Sequence, residues 1–356
     1  MVSDSFALGM SVFSIAMISS ALFEIPTGVF SDRIGRQKTI ILGATAAVFY
    51  SVFYAIGQSF WILAIGAVFE GLSRSFYSGN NDALLHDTLS ENNAVDQYEE
   101  VLGKISSMFQ LALGISAIVG GILATWSFPL IMWLSVIPQG ICMLLAFKLR
   151  EPTIHSHLSG NIFQHLQEAY KKFLCNKKLR LLSITHVIGY SFGEAGYQFQ
   201  SAFYNTLWPV WAIGIAKTFS NVGAFFSFRF SGRLIKKYNT LRLILIDNIY
   251  SKVINIFSVL FPTILSPLLM SSTSIFFGIT SVAKNSLLQK EFTSEQRATM
   301  GSLNSFAGSI MFGIIAFILG LVADLLSPAR AILIFQILQI TNIFLYFKLF
   351  KHHNTP

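Results

Sequence analysis

A chain of 356 residues with 53% hydrophobic and 12% charged side chains has too little polar surface to coat a soluble core, and a mean hydropathy of +0.60 places it among polytopic membrane proteins. A net charge of +8 would suit a nucleic-acid binder, but the cations lie in short breaks between apolar runs rather than on one face. Nucleic acid is therefore excluded as a partner, and the lipid bilayer takes its place. Cys142 sits inside an apolar run and Cys175 in a basic segment, so both are read as plain thiols. Met1 is followed by Asp4 and an uncharged run, from which no cleavable signal is expected.

Runs of about twenty apolar residues, the length that crosses a hydrocarbon core, lie near 5–30, 39–57, 60–85, 102–126, 128–148, 181–205, 212–234, 241–262, 264–286, 299–323 and 329–349. They predict an all-α membrane protein with about eleven transmembrane helices. Cations fall in alternate breaks: Arg33, Arg36 and Lys38; Lys148 and Arg150; Lys171 through Arg180; Arg233 through Arg242; Lys290 and Arg297; Lys348 and Lys351. The opposite side holds little beyond Lys217 and Arg330. Short cytoplasmic loops are the basic ones, which predicts an outside N-terminus and a cytoplasmic C-terminus. The loop from Asp87 to Glu100 is acidic instead, and acids weigh little in orientation.

The first break is the most informative. Its pattern Gly28-x-x-x-Asp32-Arg33-x-Gly35-Arg36-x-Lys38 resembles the loop motif between the second and third helices of major facilitator superfamily transporters. The preceding Glu24-Ile25-Pro26-Thr27-Gly28 is similar to bacterial members of that family. The resemblance implies two helical bundles around a central cavity, and it gives Gly28, Asp32, Arg33, Gly35, Arg36 and Lys38 the role of a gating brace. In the family the matching acid holds the second helix against a helix of the other half. Asp32 can also pair with Arg36 one turn on.

Ionisable groups at membrane depth are costly unless they face a cavity or a partner, so each is a functional candidate. Glu24 either binds protons or is a structural carboxylate, and Pro26 loosens the backbone beside it. Glu70 and Arg74 are spaced i,i+4 and can neutralise one another; the resemblance adds a proton-coupling role for Arg74 beside that of a structural ion pair. Asp82 and Asp87 are placed to accept bonds from Arg33 and Arg36, or to end a solvated helix. Gly114, Gly120 and Gly121 serve close helix packing, or mark a family antiporter signature that here lacks its proline. The span 181–205 is the most polar, with His186, Glu194 and Gln198 beside Tyr190 and Tyr197. It reads as a wet cavity wall, with Glu194 the best proton or cation site. Asp247 and Lys252, five apart, are expected to find partners on other helices, and Lys284 to snorkel toward a cytoplasmic end.

The chain divides into an N-terminal bundle at 1–149, a cytoplasmic linker at 150–180 with an amphipathic helix, and a C-terminal bundle at 181–356. His155, His157 and His165 in the linker lack a completing carboxylate or thiol, so no metal is expected. Gly114, Gly121 and Ala124 recur as Gly313, Gly320 and Ala323, which suggests parallel repeats. The unmatched span 181–205 then implies that the first helix of a twelve-helix fold is missing. No phosphate loop, zinc set or nucleophile elbow is present, so neither an enzyme nor a cofactor is expected. The reading is a monomeric, multi-pass transporter of the bacterial plasma membrane, coupling a small-molecule substrate, drug-like or metabolite, to protons as an efflux antiporter. The alternative is a transport-incompetent truncated protein, receptor or scaffold.

Overall fold

The computed structural model describes residues 5–78, 80–152, 173, 176–291 and 297–353, and every extended element among them is helical. In chain order these are α1 (Phe6–Ile34), α2 (Arg36–Ile56), α3 (Phe60–Tyr77), α4 (Asn80–Glu91), α5 (Tyr98–Leu123), α6 (Phe128–Ala146), α7 (Lys177–Tyr204), α8 (Val210–Lys237) and α9 (Thr240–Leu260). There follow α10 (Ser266–Ser272), α11 (Phe277–Glu291), α12 (Arg297–Leu325), α13 (Pro328–Leu338) and α14 (Ile340–His353). Among the described residues, eight stretches are long and apolar enough to cross a membrane. The fold is an all-α membrane fold, as the apolar runs require.

Helix starts follow local chemistry. Ser5, Ser59, Ser127, Asn176, Asn239 and Ser327 each turn a side-chain oxygen onto a backbone N–H of the first turn of α1, α3, α6, α7, α9 and α13. Three expected spans are interrupted. The run 60–85 stops as α3 at Tyr77, and the polar Asn80-Asn81-Asp82 opens a separate helix, α4. The acidic stretch expected as a loop is therefore largely helical, through α4, a short 3-10 turn at Val95–Gln97 and the start of α5. The run 264–286 is α10, a 3-10 turn at Thr273–Phe276 and α11, and the run 329–349 breaks at Gln339 between α13 and α14. The linker's amphipathic helix and its three histidines lie outside the described residues.

The chain forms two compact units. The first holds residues 1–102, 126–159 and 312–320; the second holds 103–125, 160–311 and 321–356. In the first, α1 and α3 meet backbone to backbone at Gly71, where a Cβ would stand 2.6 Å from that of Ser19 and 2.7 Å from the amide nitrogen of Ser20. The Ser14 hydroxyl of α1 donates to the Gly313 carbonyl of α12 at 2.7 Å. In the second unit, the Thr218 hydroxyl of α8 donates to the Gly114 carbonyl of α5 at 2.8 Å. The two glycines that recur in the sequence thus accept the same kind of bond from a crossing helix.

Such a bond adds little in lipid, because the helix carbonyl already has its own partner. Ser14→Ala is expected to lower stability by about 0.5–1 kcal/mol, read from the thermal midpoint of the detergent-purified protein. The second unit is filled by Leu179, Leu182, Ile244, Ala283, Leu287 and Tyr346, all under 10% exposed.

Candidate functional site

The corner between α1 and α2 carries the motif. Gly28, Asp32 and Arg33 lie on α1, and the expected pairing of Asp32 with Arg36 falls outside the described side chains. Gly35 makes the turn with φ 98° and ψ 161°, a region open in practice to glycine alone. Having no side chain, it cannot cap α2 as serine or asparagine caps six of the other helices. The cap comes from the segment just after α6. Glu151 accepts from the backbone N–H groups of Arg36 and Gln37, both at 2.6 Å, so a carboxylate sits on the positive end of α2. The Gln37 side chain donates to the Leu149 carbonyl at 2.6 Å, which adds a second tie between these elements.

Around this corner Ser31 donates to Asn80 at 2.6 Å, and Asn80 donates to the Arg36 carbonyl at 3.1 Å. The Arg36 guanidinium donates to the Ser31 hydroxyl at 3.1 Å and stands 3.8 Å from the Asp87 carboxylate. Of the two acids expected near the cations, Asp87 is thus the one that meets Arg36. Asp82 is exposed in the first turn of α4; burial, with the Asp82 charge adding to it, raises the Tyr98 phenol above its usual value. Lys38 is exposed on α2.

Deeper in the first unit, Arg74 and Glu70 form the ion pair their spacing suggests, at 2.8 Å, and Tyr54 donates to the same carboxylate at 2.7 Å. The Glu70 side chain is 16% exposed and that of Arg74 53%. The Gln139 amide of α6 donates to Tyr50 at 3.2 Å. Glu24 accepts from the Ser78 hydroxyl at 3.2 Å, across the gap between α1 and the end of α3.

In the second unit, Gln198 donates to Glu194 at 2.9 Å, as one helical turn allows. Lys217, counted among the few cations of the outer side, lies in α8 and turns inward. Its ammonium donates to the Tyr197 carbonyl at 2.7 Å, lies 3.6 Å from the centre of the Tyr197 ring, and is within electrostatic reach of Glu194. Nothing in its local sequence marks this, because the partner is on another helix. Asp247 accepts from Ser251 of its own helix at 3.0 Å rather than from a different one, whereas Lys252 does cross to another element and donates to the Gln339 amide oxygen. The Lys284 ammonium lies 5.8 Å from the ring centre of the buried Tyr346, and His186 is near it.

The chain is 29% identical over 175 residues to the uncharacterized transporter BU466 of Buchnera aphidicola from Acyrthosiphon pisum, a match covering 49% of this chain and 43% of that protein. It thus spans under half the length of that relative. It is 22% identical over 157 residues to a Na(+), Li(+), K(+)/H(+) antiporter of Planococcus maritimus, covering 40% of this chain and 35% of the antiporter. Its fold matches a crystal structure of the nucleoside transporter NupG, in variant form, with a TM-score of 0.80 at 13% identity over 98% of this chain and 92% of that one. The sequence model of the Major Facilitator Superfamily matches residues 3–316, nearly the whole of the membrane-spanning helical fold described above, and the chain therefore belongs to that superfamily.

Proposed function

We propose that the protein exports a small drug-like or metabolite molecule in exchange for protons, by alternating access, as a monomer in a bacterial plasma membrane. Two bundles, 1–149 and 181–356, rock about a central cavity, with the N-terminus outside and the C-terminus in the cytoplasm. The motif residues Gly28, Asp32, Arg33, Gly35, Arg36 and Lys38 brace the closed state, and the cap from Glu151 holds their turn in shape. The observation that carries the reading is Glu194, a carboxylate on a helix of an apolar bundle with the Gln198 amide bonded to it and the Lys217 ammonium in reach. A carboxylate so placed can exchange a proton for another cation, because an ionised acid in an apolar surrounding is stable only with such company. Glu24, Glu70, Arg74, Asp82, His186, Gln198 and Asp247 are the remaining candidates for coupling or for lining the cavity. The antiporter relative is named for proton exchange, which supports the same coupling here.

The test is flux in proteoliposomes containing a pH-sensitive dye, with ethidium and then Na+, Li+ and K+ as probes. Glu194→Gln is expected to lower gradient-driven flux by at least about tenfold while exchange without a gradient persists. Undiminished proton-linked flux in the variant, with an active parent, would overturn the assignment.

A further inference from the structure

Within the second unit, the lysine that α8 turns toward α7 is held near the Glu194 carboxylate without resting on it. The Lys217 ammonium touches two neutral groups of one residue, donating to the Tyr197 carbonyl at 2.7 Å and lying 3.6 Å from the centre of the Tyr197 ring. Glu194, just under one turn earlier on α7, is the charged group within electrostatic reach of that ammonium among the described residues. No contact ion pair joins the two. Gln198 donates to Glu194 Oε1 at 2.9 Å, and Oε2 has no hydrogen-bond partner among the described residues.

The backbone around the lysine is pinned. Thr218, next in the chain, is tied by its hydroxyl to the Gly114 carbonyl of α5, and Gly214, one turn before Thr218, packs against Gly121 of the same helix. With α8 so held, the flexible stem of Lys217 is what can move the charge. Glu194 and Lys217 are both partly exposed, and beside Glu194 the exposed Gly193 has nothing within 4 Å of where a Cβ would stand. Outside cations can therefore approach the carboxylate as well as the lysine can. An ionised acid among apolar side chains needs a cation, and a tethered one is always at hand. The ring face and carbonyl of Tyr197 attract a cation without carrying a net charge, so they give the ammonium a second resting place that leaves Glu194 open.

We propose that Lys217 is a tethered competitor at Glu194: its ammonium rests on Tyr197 while a proton or a cargo cation holds the carboxylate, and it moves onto Oε2 when that occupant leaves. This deepens the reading of Glu194 as the exchanging acid and rests on it. Each occupant then has to displace a resident charge, which keeps its hold weak enough for release.

The test follows the thermal midpoint of the detergent-purified full chain against rising ethidium, Na+, Li+ or K+, with N-methylglucamine chloride keeping the ionic strength constant. The pH is set at about 6.5, between the ordinary ranges of a carboxylate and an ammonium. A cation that binds the folded form alone raises the midpoint in a saturable way. Lys217→Met is expected to bind the responding cation at least about tenfold more tightly than the parent, because competition and repulsion vanish together. Tyr197→Leu is expected to bind it at least about threefold more weakly, because the ammonium loses its other resting place and stays on Glu194. Purely structural roles would weaken binding in both variants, and the tyrosine variant keeps the test open should Lys217→Met fail to fold. Glu194→Gln tells the two readings apart. If it abolishes the response while Lys217→Met and Tyr197→Leu match the parent, the lysine proposal falls and Glu194 stands. If the parent responds to none of these cations, or Glu194→Gln responds as the parent does, both fall.

Discussion

Gly35→Ala is expected to lower stability by roughly 2–5 kcal/mol, the sum of backbone strain and a damaged helix cap. At φ 98° and ψ 161° a side chain collides with its own backbone, which costs roughly 1–3 kcal/mol by itself. The new methyl would also stand 2.8 Å from the carboxyl carbon of Glu151 and must push that side chain off α2. The N–H groups of Arg36 and Gln37 would then lose their charged acceptor. The measurement is the thermal midpoint and the folded yield in detergent. Glu151→Gln separates the two causes: it keeps the shape and removes the charge, so it is expected to lose only the cap's share. A Gly35→Ala protein as stable as the parent would show that the turn can be built another way.

The second large effect is at the crossing of α5 and α8. Gly121→Ala is expected to cost about 1–3 kcal/mol, whereas Gly120→Ala is expected to be neutral or to stabilise by up to about 1 kcal/mol. A Cβ on Gly121 would meet the Trp211 carbonyl at 2.8 Å and the Gly214 Cα at 3.2 Å, and backbone cannot swing aside as a side chain can. Gly120 has nothing within 4 Å of the same position. Two membrane helices that approach this closely are held by van der Waals contact and gain nothing from expelling water, so separating them removes most of what binds them. Thermal midpoints of the two single variants in one detergent decide the matter; equal midpoints would refute the close contact.

These two neighbours also show where sequence reasoning stops. The pair Gly120-Gly121 announces close packing, yet only the rotation of α5 against α8 tells which glycine is the contact. What could be foreseen is what depends on a few consecutive residues. The apolar runs are long enough for lipid, serine or asparagine marks six helix starts, and Glu70 with Arg74 and Glu194 with Gln198 meet because one turn separates them. The superfamily was legible for a similar reason, since its motif is confined to one short turn.

What depends on the meeting of distant segments was hidden. Glu151 caps a helix 115 residues earlier in the chain, and as Glu-Pro after an apolar run it looked like the start of a linker. Lys217 resembled a charge near a surface until α8 was seen to turn it inward against Tyr197. The break at Gln339 falls in a run whose hydrophobicity continues almost unbroken. Helix period and hydrophobicity are set by short-range sterics and by transfer from water to lipid, both readable residue by residue. Helix rotation, crossing and partner choice are set by the packing of all the helices at once, and that packing decides which of many candidate charges share a space.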